Sequence, residues 1–335
     1  MRISDLGEFP LIDRVGRIVG LQRPDVVVGI GDDVAVLEDR GDELLLATVD
    51  SQVEGVHFLP DRITPYQLGR RALAINLSDI AAMGGRAEYA LVSLALPADT
   101  EVAWVEALYR GLCEEGERFG VVVVGGNIAR SPGGAFVDVC VLGRVHRRHL
   151  LLRSGARPGD RVLVTGHLGG SAAGLHLLLD PDLAVASSDR EALLARHLTP
   201  TPRLPEAAII ARSGAATAMI DVSDGLSSDV GHICEQSRVG VRLWADRLPI
   251  APATRRVAEL LGRAPWRLAL EGGEDYELCF TAPPEAAARL AATVRRETGT
   301  PVAVVGEVLP AEEGRWLVLE DGRKRPLEAR GWEHF

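Results

Sequence analysis

The chain is 335 residues long, 47% apolar and 25% charged, with a formal net charge of −10. That length holds two domains of ordinary size, each with its own core, and the balance is that of a soluble globular protein. The acidic excess argues against a nucleic-acid binder, which needs a basic face, but not against a polyphosphate substrate whose charge is met by cations.

Of the 37 Lys and Arg residues only Lys324 is a lysine, in the polar segment DGRKRP. A phosphate-loop lysine or a Schiff-base lysine is therefore all but excluded. Cys113, Cys140, Cys234 and Cys279 are scattered without a CxxC pair and read as buried free thiols of a reducing compartment. The opening MRISDLGEFPLIDRV lacks the apolar core of a signal peptide. No apolar run approaches the roughly 20 residues of a membrane span. A cytoplasmic protein with no membrane partner is expected.

In chain order, residues 5–19 read as a short amphipathic helix, followed by strands at 26–30, 34–37 and 44–49. A threonine–proline start and a Gly-Gly stop bound a helix over 65–82. Its apolar side carries Leu68, Ala72, Ile75 and Ile80, and Asn76 and Asp79 lie one turn apart on another side. YALVSLALP is a strand, 100–119 a helix, VVVVGGN a buried strand running into a glycine turn, and AFVDVCVLGRV another strand. The basic, turn-rich RVHRRHLLLRSGARPGD marks a boundary, placed at 147/148. Beyond it strands are expected at 161–165, 217–220, 239–243, near YELCFTA, and near 302–308 and 316–319. Helices are expected at 169–179, near 190–197 and 205–213, and at 225–237, 253–262 and 285–297. The alternation means α/β or α+β, and periodicity alone does not choose.

The chemistry gathers on aspartates that follow apolar or strand-like runs: Asp32 and Asp33 in GIGDDVAV, Asp50 after LLLATV, Asp79 in NLSD, Asp221 and Asp224 in IDVSDG. Adjacent carboxylates at a strand end repel each other and are tolerable where a cation sits among them. Singly, each reads as an ordinary turn or cap aspartate; together they read as a phosphate site with several magnesium ions, a hard cation that prefers oxygen. GIGDDV lacks the third glycine of a dinucleotide loop. TGHLGGSAAG opens a helix as a phosphate loop would, though close helix packing explains it as well. His57 shares VEGVHF with Glu54, near the proposed metal acids, and no HExxH or His/Cys spacing calls for zinc.

The motifs GIGDDVAV, TVDSQVEGVHF, ALAINLSDIAAMGG, VVGGN, LLRSGARPGD, IDVSDGLSSD and GGEDYELCF, in this order, resemble the thiamine-monophosphate kinase family. That family belongs to the aminoimidazole-ribonucleotide synthetase (PurM)-like superfamily. VEGVHF, GGEDYE and the closing GWEHF point to the thiamine branch. The resemblance implies a two-domain α+β fold of the PurM type, domains 1–147 and 148–335, and a homodimer pairing N-terminal sheets. It implies ATP-dependent phosphorylation of thiamine monophosphate to the diphosphate by direct transfer. By the same resemblance Asp33, Thr48, Asp50, Asp79 and Asp221 are magnesium ligands, with Asp32 beside them and Asp224 on a further ion. Asn127 touches a metal and the nucleotide; Tyr109, Gly126, Arg153 and Ser223 contact ATP; His57, Glu274 and Trp332 hold thiamine monophosphate. Two positions depart from the family pattern. Val49 replaces a second hydroxyl, leaving only its backbone oxygen for a metal, and Asn127 replaces an aspartate, which makes that contact neutral. The rival readings are a superfamily enzyme with another acceptor and a non-catalytic magnesium–nucleotide sensor.

Overall fold

The structure, a computed structural model, describes residues 7–20, 23–329 and 331. The first half runs α1 (Glu8–Val19), β1 (Val26–Val28), β2 (Ala35–Glu38), β3 (Glu43–Val53), α2 (Pro65–Ala82), β4 (Arg86–Leu96), α3 (Val102–Phe119), β5 (Val122–Arg130) and β6 (Phe136–His146). Its six strands form one sheet in the order β1-β2-β3-β6-β4-β5. β3 and β6 pair antiparallel along their whole length, bringing Asp50 opposite Val139. Burial alternates along β6 with the period of two of a sheet with one covered face. Only β4 and β5 run parallel, joined by the α3 crossover.

Helix α2 begins as the sequence indicates. Thr64 accepts from the Gln67 N–H, Gln67 reaches back to the Thr64 N–H, and Pro65 takes the first turn. It crosses α3 at very close range. A Cβ on Gly69 would stand 2.0 Å from the Leu108 carbonyl oxygen, and one on Gly111 2.0 Å from that of Tyr66. The polar side expected for α2 does not face solvent: Asn76 and Ser78 are fully buried alongside Leu73 and Leu77. The reason is tertiary, because α2 lies between the first sheet and the second half, and Ala81 packs into the cluster of Leu163, Ile210 and Phe280.

The second half contains β7 (Arg161–Thr165), α4 (Gly170–Leu179), α5 (Ser187–Leu198), α6 (Leu204–Ser213), β8 (Ala218–Asp221), α7 (Leu226–Ser237) and β9 (Gly240–Trp244). It continues with α8 (Pro252–Leu260), α9 (Pro265–Glu271), β10 (Leu278–Ala282), α10 (Pro284–Thr298), β11 (Val302–Leu309), β12 (Arg315–Val318) and β13 (Lys324–Pro326). Seven strands form a mixed sheet in the order β13-β12-β9-β11-β7-β10-β8. The architecture is α+β, as expected. α9 and β13 are short elements that the sequence reading leaves as loop.

The segment VVVVGGN differs from expectation. It is neither buried nor followed by a turn: β5 continues through Gly125 and Gly126 as an edge strand, with a register shift against β4 at Val124, and is exposed almost throughout. The thiols also differ. All four cysteines are free, but only Cys234 and Cys279 are buried, while Cys113 is exposed on α3. Among the described residues no helix is long and apolar enough to cross a membrane.

Candidate functional site

Thr48 and Asp50 are two apart on β3 and so share one face of the sheet. Asp79 approaches from α2, Asp221 from the end of β8, and Asp33 from the turn before β2. Thr48 Oγ1 donates to Asp79 Oδ2 at 2.7 Å. Asn76 Oδ1 accepts from the Asp50 N–H at 3.1 Å, and Ser78 Oγ donates to Asp221 Oδ2 at 2.6 Å. Arg153 grips Asp33 through Nε at 3.0 Å and through a second guanidinium nitrogen, and its own N–H donates to Asp32 Oδ2 at 3.3 Å.

These acids stand close enough to repel one another. Burial, then the charges of Asp50, Asp221 and Asp33, hold the Asp79 carboxyl well above the usual range. Burial and Asp33 push Asp221 up to about 8, against the Ser78 hydroxyl and Arg153. Burial and the neighbouring Asp33 push Asp32 up to about 6, and burial raises Asp33 despite Arg153. Asp33 Oδ2 is buried without any hydrogen-bond partner. An all-oxygen donor set, mutually repelled and with one orphaned carboxylate oxygen, fits a hard divalent cation. No three acids among the described residues converge on a single ion position. The fit is therefore to ions held by one or two carboxylates each, completed by substrate oxygens and water.

The loop after β8 carries Ser223 and Asp224. Asp229, buried on α7, accepts from the Gly225 N–H at 3.0 Å and fixes this loop from below. The Glu274 N–H donates to the Ser223 carbonyl at 2.6 Å, so the segment 272–277 lies directly against it. Gly273 and Glu274 are both left-handed, with φ of +66° and +55°, a cost for any residue with a Cβ. Glu274 thereby lines an apolar pocket of about 290 Å³, walled by Phe58, Leu175 and Leu178 and bearing His57, Arg71 and His197. The Val53 N–H donates to His57 Nδ1 at 3.1 Å, so the neutral ring carries its proton on Nε2. Buried Tyr276 feels the charges of Glu274, Asp50 and Asp221 together, which places pocket and acid cluster side by side.

The remaining expected positions sit on other elements. Gly126 and Asn127 lie on β5 opposite Val92 and Ser93 of β4, and Tyr109 packs from α3 against the first core. No hydrogen bond or ion pair among the described residues joins these three to the acids. Arg153, expected at the nucleotide, is inside the acid cluster. Val49 points outward, 61% exposed, and Trp332 lies outside the described residues. The N-terminus of α4 in TGHLGGSAAG is not an open phosphate cradle, since the Asp275 carboxylate already accepts from the Gly169 and Ser171 N–H groups. Arg71, Ser78, His197 and Asp229 were missed. Ser78 and Asp229 had a signal in their nearness to Asp79 and Asp224, whereas Arg71 and His197 had none beyond a charge within an apolar helical pattern.

Two family models cover most of the chain: AIR synthase related protein, N-terminal domain, over residues 31–145, and its C-terminal domain over 157–318. Fold and acid cluster together thus define a member of the AIR synthase related class. The chain is 39% identical to the thiamine-monophosphate kinase of Escherichia coli K12 over 98% of both chains. It is 38% identical to that of Aquifex aeolicus over the full length of both. Among solved structures, AaThiL complexed with AMPPCP and TMP matches with a TM-score of 0.87 at 38% identity, covering 100% of this chain and 99% of that one. The hydrogenase maturation protein HypE of E. coli, at 20% identity and TM-score 0.70 over 96% of this chain and 98% of its own, shares the fold alone. The chain belongs to the thiamine-monophosphate kinase family.

Proposed function

We propose that the chain transfers the terminal phosphoryl group of ATP to the phosphate of thiamine monophosphate, yielding thiamine diphosphate, with magnesium as the assisting ion. The observation that carries this is the convergence of Asp33, Asp50, Asp79 and Asp221, from four separate elements, beside an apolar pocket holding His57 and Glu274. Family membership supplies the reaction, and the oxygen-only donor set supplies the choice of a hard cation.

The acceptor is a phosphate monoester with a second pKa near 6, so its attacking oxygen is ionised at neutral pH and no general base is required. Asp33, Thr48, Asp50, Asp79 and Asp221 hold the ions, with Asp32, Asp224, Asn127 and the Val49 carbonyl contributing. Bound magnesium neutralises donor and acceptor phosphates and the charge that develops between them. Arg153, Ser223, Tyr109 and Gly126 receive the nucleotide. Glu274, His57 and Trp332 seat the acceptor rings, with the leucines of α4 as an apolar wall.

The same reading divides the chain at 147/148 and pairs two copies through their first sheets. The long edge strand β5, with Val122, Val124 and Ile128 each more than half exposed, supports that pairing. Four free cysteines suit the reducing cytoplasm. The test is an acceptor screen: purified protein, ATP and magnesium with thiamine monophosphate, thiamine or other phosphomonoesters, reading ADP and product. ADP formed only with a different acceptor, or with none, overturns the reading.

A further inference from the structure

Arg71 heads the fully buried side chains by volume among the described residues. A guanidinium withdrawn from water is costly unless its donors are met, and here three separate segments meet them. Nε donates to Gln52 Oε1 of β3 at 2.9 Å, one terminal nitrogen to the His197 carbonyl at the end of α5, and the other to Glu274 Oε1. Two of these acceptors belong to the second half of the chain, though Arg71 belongs to the first.

Of these acceptors Glu274 opens furthest onto the pocket, its side chain 31% exposed, with His197 and Arg71 beside it in the wall. Its backbone is left-handed, and its second carboxylate oxygen stands 3.4 Å from His197 Nδ1, which is itself 3.0 Å from Ser171 Oγ. A carboxylate among the apolar side chains of this pocket favours a ligand that carries positive charge or N–H donors, but only if its oxygens point one way. The strained backbone sets where the side chain starts, and the buried fork sets where it ends. Lysine does not reproduce this, since its donors share one compact nitrogen while the guanidinium spreads three nitrogens toward three segments.

We propose that Arg71 is a positioning residue, which orients Glu274 in the pocket and sets acceptor affinity through that carboxylate. The proposal rests on the reading of this pocket as the acceptor site. A mere fold staple would behave differently, lowering stability without separating the two substrates.

The test compares wild type, Arg71→Lys, Glu274→Gln and the double variant by the KM for thiamine monophosphate, the KM for ATP and the melting temperature. Loss of one charge-assisted hydrogen bond predicts a rise of about ten- to a hundredfold in the acceptor KM for Arg71→Lys, with the ATP KM within about twofold. In the Glu274→Gln background the same change should add less than about threefold, because Arg71 acts through Glu274. Gln52→Leu, which keeps the charge paired, should raise the acceptor KM alone by a smaller factor and serves if Arg71→Lys does not fold. An unchanged acceptor KM, an equal rise for both substrates, or full additivity in the double variant overturns the proposal. Calorimetry on the wild type separates the two failures. No binding of thiamine monophosphate overturns the functional reading and the proposal with it; binding that the variants leave intact overturns the proposal alone.

Discussion

The Ser78 hydroxyl, near the C-terminal end of α2, donates to the Asp221 carboxylate at the end of β8 across 2.6 Å. Ser78 is fully buried and Asp221 nearly so, so this bond ties the first half to the second at the acid cluster itself. Ser78→Ala should destabilise the protein by about 1–3 kcal/mol, the cost of a buried carboxylate oxygen losing its donor. It should also reduce turnover. Urea unfolding alongside an ADP-release assay checks both, and wild-type values in each would show that the bond carries no weight.

Asp79 faces three other acids, Asp33, Asp50 and Asp221. Asp79→Asn keeps an acceptor for Thr48 and removes one mutually repelled charge. The variant should melt a few degrees higher than wild type in chelator, yet lose about a thousandfold or more in turnover. Added magnesium should raise the wild-type melting temperature more than that of the variant. A variant that melts lower in chelator and turns over normally would contradict the cation role.

His197 has a defined acid signature. Burial, then the Arg71 charge, lowers its pKa from 6.5 to about 4, with Glu274 opposing. Between those values the unfolded chain binds the proton more readily than the folded protein. The stabilisation is complete above pH 6.5 and is lost as pH falls towards 4, by about 3 kcal/mol at most. Unfolding free energies at pH 7, 5.5 and 4.5 should fall more steeply in wild type than in His197→Asn. Parallel slopes would place the acid sensitivity elsewhere.

Val124 and Ile128 are 56% and 66% exposed on the bare edge strand β5. A double Val124→Glu, Ile128→Glu variant should shift the protein from dimer to monomer mass in light scattering while leaving its circular dichroism unchanged. A wild type that is monomeric at assay concentration refutes the pairing directly.

Much of this was legible beforehand because the signals were local. Thr64-Pro65 and the Gly84-Gly85 stop bound α2 to the residue, and apolar runs marked β3 and β6, though β3 continues to Val53, past the expected end at 49. The acids were legible because each follows an apolar run, where a charge needs a reason. What escaped depends on the partner rather than the segment. VVVVGGN reads as buried by its own composition, yet β5 lies at a sheet edge. Arg71 carries no local mark of burial, and its helix is enclosed on nearly every side. Asp275 looked like part of a glycine corner, and only the fold showed that it fills the α4 terminus that TGHLGGSAAG seemed to offer to phosphate.

Helix α2 works as a rivet through both sheets. Prising the two halves apart would unseat Arg71, Ser78 and Ala81 at once, so such an opening would break three buried contacts together. Reactants meet an aperture that is already cut.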